Sequence, residues 1–557
     1  MKKIVLTAIN SQYVHLNVAV RYLKKYVEKN SEIKLDIYET NINNQLINII
    51  KDLFEMQPDM IVFSTYIWNK EYVFSLSKEL KKILPNVKIA LGGPEVSYEW
   101  EKTMRENEEI DYIFTGEGEK ILLNFFTLDI SQVKGVVYRV NEEIKYNGIE
   151  PLIENLDIIP FPYDEEELQD RTKIFYYESS RGCPFNCSYC MSSIDKSVRY
   201  YSIERTKEDL KRFIDSPIKL LKFVDRTFNL SKEKYMAIWK FLLENYREGI
   251  TFHFEINANI FDEETLDFLE TVPKGYFQFE IGVQTIDVQA MKSIGRVNNL
   301  ERLEHNIRRI SRNIHLHLDL IAGLPYETYE KFRYSFDYVH SMKPEMIQLG
   351  FLKLLKGTKM YEEREKYNYK YFSKPPYEVF SNDFISFAEI VKLKNLEKVL
   401  DFYYNSEKFP ESVQWLIENH YESAFSFYED IADLYFDKKG YLKVSHKEST
   451  LFTLLYEFYL EKNFKDREIF VEYLKYDYLM LGKTGFYPEW FKSEKDGELY
   501  DEIIREGNYK SIREGHKNSE LERFSYNIFT KEFEDIYVFF DYRNKSTRVI
   551  KNNREEK

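Results

Sequence analysis

The sequence predicts an α/β protein in three parts: an N-terminal doubly wound (Rossmann-like) domain, a central partial (β/α)6 barrel, and a mainly helical C-terminal extension. Three observations carry this reading. Short apolar runs alternate with amphipathic helical patterns over residues 1–128 and again over 173–360, which is the sequence form of parallel sheets covered by helices. From 361 to 557 apolar spacing of three and four residues prevails, as in packed helices. At 557 residues the chain is also too long for one core, and the length suggests several domains.

In residues 1–128 the predicted strands are Lys3–Ala8, Leu35–Tyr38, Met60–Ser64, Lys88–Leu91 and Tyr112–Phe114. Ligands of doubly wound sheets bind outside the carboxyl ends of the strands. Those ends carry Asn10-Ser-Gln-Tyr-Val-His15, Ser64-Thr-Tyr66, Gly92-Gly-Pro-Glu95 and Thr115-Gly-Glu-Gly-Glu119. Glycines let a backbone approach a bulky ligand, and small hydroxyl residues can hydrogen-bond it. No Gly-x-Gly-x-x-Gly follows the first strand, which disfavours a dinucleotide. Residues 129–172 read as a connector, with a hairpin of Val133–Tyr138 and Glu143–Tyr146 around Val140-Asn141-Glu142. An extended Ile159-Pro-Phe-Pro-Tyr163 and an acidic Asp164–Glu167 helix start follow, because each proline disfavours helix at its predecessor.

The barrel strands are expected at Ile174–Glu178, Leu220–Val224, Thr251–Ile256, Phe277–Ile281, His315–Ile321 and Met346–Phe351, fewer than a closed eight-stranded barrel requires. After the first of them comes Arg181-Gly-Cys-Pro-Phe-Asn-Cys-Ser-Tyr-Cys190, which holds the chain's three cysteines, Cys183, Cys187 and Cys190. Thiolates suit iron–sulfur clusters and zinc. A structural zinc site closes its tetrahedron with four protein ligands, and no histidine or further cysteine lies close by. Three thiolates on one loop suit a 4Fe-4S cluster with an iron left open. The bland alternative, unrelated core cysteines, does not account for their clustering. Polar residues recur at the later strand ends: Val224-Asp-Arg-Thr-Phe-Asn229, Glu255-Ile-Asn-Ala258, Glu280-Ile-Gly-Val-Gln-Thr285 and Asp319-Leu-Ile-Ala-Gly-Leu-Pro325. A carboxylate within an apolar strand is costly unless paired, so Glu255 and Glu280 need a ligand or a barrel arginine such as Arg296. His315 and His317 share one strand face; neither is near the cysteines in sequence, and they are not assigned as metal ligands.

Beyond 360, helices are expected at Ile385–Tyr404, Ser412–Tyr435, Ser449–Tyr459 and Asp466–Gly482, a strand at Ile536–Tyr542, and a frayed tail from Asn544. The region has no cysteine for a further cluster. Its many tyrosines and phenylalanines read as core at helical spacing rather than as a stacking surface for nucleic acid. The net charge of −14 argues against a broadly basic nucleic-acid binder. No signal peptide is expected, and no apolar run reaches the ~18 residues of a membrane span. A thiolate-bound cluster needs a reducing compartment, so the expected location is the cytoplasm, in an anaerobe.

The cysteine stretch resembles the signature of the radical S-adenosylmethionine (SAM) enzymes. The layout of residues 1–128, above all Gly92-Gly-Pro94 and Thr115–Glu119, resembles the cobalamin-binding domain that precedes the barrel in one subgroup of them. This resemblance implies a 4Fe-4S cluster on Cys183, Cys187 and Cys190, with S-adenosyl-L-methionine chelating the open iron. It implies Asp225 at the methionine amino group, Glu255, Glu280 and Gln284 lining the nucleoside pocket, and Gly323 and Leu324 at the adenine. For cobalamin it implies Ser11, Tyr13, Ser64, Thr65, Gly92, Gly93, Glu95, Thr115, Gly116, Glu117 and Gly118. One departure is plain: the Asp-x-His-x-x-Gly loop of cobalamin mutases and methionine synthase is replaced by Ser11-Gln-Tyr-Val-His15-Leu-Asn17. Cobalamin is therefore expected without a protein histidine on cobalt, His15 hydrogen-bonding locally.

The implied activity is methyl transfer from methylcobalamin to an unactivated carbon or phosphorus, with a reductant protein such as flavodoxin or ferredoxin. A small molecule, a peptide or a tRNA stays open as substrate, as does the oligomeric state, and no catalytic residue is assigned. The alternatives are a non-methylating oxidation, rearrangement or ring closure, a methylthiotransferase, and a non-catalytic cluster or cobalamin sensor. The methylthiotransferase needs additional cysteines that this chain lacks.

Overall fold

The computed structural model describes residues 3–141, 143–435, 446–483 and 485–551. Strands β1 (Ile4–Asn10), β2 (Leu35–Asn41), β3 (Met60–Ser64), β4 (Lys88–Gly92) and β5 (Tyr112–Phe114) run parallel in the spatial order β2-β1-β3-β4-β5. The chain changes direction across the sheet between β1 and β3, which opens a crevice at their carboxyl ends. β1 is buried along its whole length. Ile4, Leu6 and Ala8 enter one apolar cluster, and Val5 and Ile9 another, as expected for a strand covered on both faces. The connector's hairpin, β6 (Val136–Val140) and β7 (Glu143–Tyr146), is not free-standing. It pairs antiparallel onto β5 and completes a seven-stranded sheet, so the edge of β5 is not left open. Glu142, at its expected turn, lies outside the described residues.

The barrel begins with β8 (Phe175–Tyr177). A short antiparallel pair, β9 (Ser180–Arg181) and β10 (Arg199–Tyr200), brackets the cysteine loop. The remaining strands are β11 (Leu220–Phe223), β12 (Thr251–Ile256), β13 (Phe277–Gln284), β14 (His315–Ala322) and β15 (Met346–Phe351), giving a six-stranded sheet in the order β15-β14-β13-β12-β11-β8. Alternation sorts the side chains. Phe254, Phe277 and Phe279 surround Trp239 of the helix Lys232–Glu244, while His253, Glu255, Gln278 and Glu280 take the opposite, inner face.

The chain divides into two compact units, Met1–Ser335 with Gln348–Ser386, and Phe336–Ile347 with Phe387–Lys557. The boundary expected at 360 therefore falls later. Met360, Tyr367, Tyr369 and Val379 pack with Ile294 and Leu324 in one apolar cluster, and a pair of short strands, β16 (Lys370–Tyr371) and β17 (Val379–Ser381), lies in the same stretch. The second unit holds helices Phe387–Tyr403, Pro410–His420, Ala424–Asp433, Glu448–Glu461, Arg467–Met480, Gly497–Glu506 and Ile512–Asn518. One long helix was expected over 412–435; instead the chain breaks at Tyr421-Glu-Ser423, where the Ser423 side chain caps the next helix by accepting from the Ser426 amide. The expected fraying from Asn544 is overturned as far as Lys551. β18 (Ser519–Phe524), β19 (Ile536–Asp541) and β20 (Ser546–Lys551) form an antiparallel sheet in which β20 covers an edge of β19; residues 552–557 lie outside the described ones. No helix among the described residues is long and apolar enough to cross a membrane.

Candidate active site

The cysteine loop leaves β9 through Gly182, whose φ of +92° and 2.0 Å approach of an added Cβ to the Ser197 carbonyl admit no side chain. Gly295 plays the same part from a neighbouring turn, where a Cβ would stand 2.4 Å from the Asn186 carbonyl. The Ser188 amide donates to the Ile294 carbonyl and the Met360 amide to the Ser188 carbonyl, at 2.9 and 2.8 Å. Cys183 is buried, Cys187 and Cys190 half-buried. Two sulfurs have a donor at hand: Arg296 Nη1 lies 3.9 Å from Cys187 Sγ and the Ser192 amide 3.4 Å from Cys190 Sγ, while Cys183 Sγ lies 3.9 Å from Thr227 Oγ1, whose proton goes to the Arg226 carbonyl at 2.7 Å. Burial raises the Cys187 thiol and the Arg296 guanidinium opposes that shift. Three sulfurs on a fixed loop, two of them with donors aimed at them, fit a thiolate-bound cluster. Arg296, one of the partners offered for Glu255 and Glu280 beside a bound ligand, serves Cys187, Tyr189 OH at 3.2 Å and the Gly282 carbonyl at 2.6 Å.

Just before this loop, Arg181 joins two segments that sequence alone does not connect. Its guanidinium meets Glu117 at 3.4 Å, Glu119 at 2.5 Å and Glu178 at 2.6 Å. Arg199 adds a 2.8 Å contact to Glu117, whose carboxylate also accepts the Ile153 amide at 2.8 Å. Burial alone would raise the Glu117 carboxyl, but its arginine partners hold it below the usual range. Glu117, named for cobalamin, is thus committed to protein. Glu95 is likewise buried, accepting from Tyr377 OH at 2.7 Å with Lys70 at 3.4 Å.

The other doubly wound candidates divide by what surrounds them. Ser64 Oγ accepts from Asn17 Nδ2 at 3.2 Å; Thr65 is fully buried, and a Cβ on Gly93 would stand 2.5 Å from its carbonyl. Thr115 is hydrogen-bonded to the Gly135 carbonyl, and a Cβ on Gly118 would meet Leu23 at 2.8 Å. Ser11 and Gly92 are half-buried, Tyr13 and Gly116 exposed, and nothing lies within 4 Å of where a Gly116 Cβ would be. Beside them stand Tyr66 and Trp68, stacked at 4.5 Å, a platform that the Ser64-Thr-Tyr66 reading did not extend to. Open glycine backbone, a hydroxyl and aromatic faces fit a large planar ligand. This edge adjoins the barrel: His15 Nδ1 and Tyr176 OH share a 2.5 Å hydrogen bond, Lys173 Nζ sits 3.4 Å over the Tyr13 ring, and Tyr66 feels the charge of Arg226 and Glu178.

Inside the barrel, Asp225 is buried with both oxygens engaged, by the Ser179 amide at 2.9 Å and by the Ser179 and Ser180 hydroxyls at 2.7 and 2.5 Å. Burial pushes its carboxyl up to about 6. Glu255 is pushed up to about 7 by burial, partly opposed by Arg226, and burial raises Asp319 well above the ordinary range. Glu280 is held low chiefly by His253, whose Nε2 lies 3.2 Å from its carboxylate. Burial lowers His253 and takes His317 down to about 4. Asp319 Oδ1 and Gln284 Oε1 are buried without a protein partner. Such atoms call for a bound polar group, and the set fits a ligand as polar as S-adenosylmethionine. Gly323 and Leu324 are placed differently. The Gly323 carbonyl accepts from Tyr369 OH and Asn382 Nδ2 at 3.0 and 2.9 Å, and the Leu324 side chain is fully buried in an apolar cluster.

Three family descriptions match successive stretches of the chain. A family described as B12 binding domain matches residues 4–126, the Radical SAM superfamily matches 177–339, and a family described as Protein of unknown function (DUF4080) matches 365–549. Over 363 residues the chain is 26% identical to the Uncharacterized methyltransferase PH0819 of Pyrococcus horikoshii, covering 62% of this chain and 77% of that protein. It is 24% identical to the Cobalamin-dependent radical SAM methyltransferase TokK of Streptomyces tokunonensis, covering 60% of this chain and 52% of the relative. Among solved structures, the cobalamin-dependent S-adenosylmethionine radical enzyme OxsB, with aqua-cobalamin and S-adenosylmethionine bound, superposes with a TM-score of 0.60 at 16% identity, over 86% of this chain and 79% of that one.

Proposed function

We propose, from the premise that this chain belongs to the cobalamin-binding radical S-adenosylmethionine enzymes, that it methylates an unactivated carbon or phosphorus. The observation that supports this reading is the likeness to two relatives named as methyltransferases; the Arg181 clamp ties a strand-end loop of the doubly wound domain to the segment that leads into the cysteine loop. When bound, the cluster and S-adenosylmethionine supply hydrogen-abstracting radical chemistry and cobalamin carries the methyl group. The chain's own residues hold and orient these groups. Cys183, Cys187 and Cys190 would ligate the cluster, while Arg296 and Ser192 direct donors at two of the sulfurs and so bear on its potential. Glu255, Gln284 and Asp319 present the inner-face oxygens for S-adenosylmethionine, and Asp225 fixes Ser179 and Ser180 ahead of the cysteine loop. Ser11, Tyr13, Gly92 and Gly116 offer the open surface for cobalamin, with Tyr66 and Trp68 beside it.

An electron must enter from outside, so a small redox protein of the flavodoxin or ferredoxin class is the fitting partner, in a reducing cytoplasm. The test is anaerobic reconstitution with iron and sulfide, reduction with dithionite, and measurement of 5′-deoxyadenosine. Wild type should form it and Cys187→Ala should not. Equal yield from the variant would sink the reading.

A further inference from the structure

We propose that His253, Glu280 and His317, on the inner face of the barrel, bind one divalent first-row transition-metal ion, with zinc as the reference occupant, at a site separate from the cysteine loop. Neighbouring strands bring the three together. Glu280 stands directly opposite His317 in the β13–β14 register, and His253 on β12 lies one row below. One ligand atom from each side chain lies within 4.8 Å of the other two, and His253 Nε2 is 3.2 Å from Glu280 Oε2. Bonds of about 2.0–2.2 Å to zinc leave ligand atoms roughly 3–4 Å apart, so small side-chain rotations close the set. Two imidazoles and a carboxylate are the donors of open zinc and non-haem iron sites.

The surroundings supply independent support. Both ring nitrogens of His253 are buried without a hydrogen-bond partner, and Glu255 stands directly opposite Glu280. Lys222, opposite His253 on β11, is the positive charge that opposes an ion here. The Gln278 amide nitrogen lies 2.7 Å from His317 Nε2, and His315 Nε2 lies 3.0 Å from the same atom. A turned Gln278 amide can accept from a metal-bound ring. Three protein ligands leave positions through which the ion can hold an oxygen or nitrogen donor of the substrate.

The reconstituted full-length protein is incubated with zinc, desalted, and assayed for zinc and iron. One zinc per chain beyond the cluster iron is expected. His253→Gln/His317→Gln should lose that zinc while keeping its iron and its far-ultraviolet circular dichroism, and Glu280→Gln should bind at least about tenfold more weakly. Replacing all three cysteines by alanine should leave the zinc in place. Cobalt(II) titration gives a second readout, with a nitrogen/oxygen-ligand visible spectrum in wild type and none in the double variant. Absence of zinc from wild type, its retention in the double variant, or its loss with the cysteines would each overturn the assignment.

Discussion

Replacing Arg181 with methionine removes the cation that Glu117, Glu119 and Glu178 approach at 3.4, 2.5 and 2.6 Å. All four side chains are largely buried, so water does not take over the guanidinium's role. Glu117 keeps Arg199 at 2.8 Å; the loss therefore falls on Glu119 and Glu178. Breaking a buried pair by removing one partner costs about 3–5 kcal/mol, a large fraction of the stability of an ordinary domain. If uncompensated charge is the cause, adding Glu119→Gln to Arg181→Met should recover roughly 1–3 kcal/mol. Urea unfolding of the cluster-free chain measures both effects, and iron content after reconstitution reports on the adjoining cysteine loop. Arg181→Met should unfold at lower urea and take up less iron, with the double variant in between. A wild-type midpoint for Arg181→Met would refute the clamp. A double variant no better than the single would refute the charge argument and leave packing as the cause.

Glu327 is buried, accepting from Thr285 and Ser335 hydroxyls at 2.5 and 2.9 Å, and burial pushes its carboxyl from 4.5 up to about 8. Because the folded value lies above the unfolded one, its contribution is complete below the unfolded value and lost as pH rises through the folded one, at up to about 1.4 kcal/mol per pH unit. Glu327→Gln should flatten the fall in melting temperature between these values; an unchanged slope would contradict the assignment. Gly182→Ala forces a side chain into a left-handed conformation and 2.0 Å from the Ser197 carbonyl, a backbone cost of about 1–2 kcal/mol before the clash is counted. Its iron content after reconstitution should fall well below wild type, and full loading would show that the loop tolerates the shift. The cobalt(II) resonance of cobalamin-loaded protein should lack splitting from a protein nitrogen and be the same in His15→Ala, since His15 is engaged with Tyr176. A histidine-split signal that disappears in the variant would reverse this.

Local signals proved legible. The Cys183–Cys190 spacing and the glycines at strand ends marked loops that the structure shapes through positive φ at Gly93, Gly116 and Gly182. The cost of a carboxylate within an apolar strand identified Glu255 and Glu280 as needing partners. The identity of the partner was beyond reach, because His253 and Glu280 meet only through the register of two strands, while Arg296 turns to Cys187 and the Gly282 carbonyl. The same holds for Arg181 with Glu119 and for Tyr377 with Glu95. Each joins segments far apart in the chain, and spacing along a sequence carries no information about which distant charge will face it. Edge pairing was hidden for a related reason. The hairpin of β6 and β7 reads as self-contained, and only the unpaired edge of β5 explains why it joins the sheet.

Methyl transfer is tested most directly by following the methyl group itself. Anaerobically reconstituted protein, loaded with cobalamin and reduced, is given S-adenosylmethionine labelled in its methyl group together with fractionated cell extract. The label should appear in one extract component, with S-adenosylhomocysteine and 5′-deoxyadenosine formed alongside, and Cys187→Ala should transfer none. Formation of 5′-deoxyadenosine by wild type with no label transferred to any component would contradict methylation and point to a non-methylating radical reaction on the same scaffold.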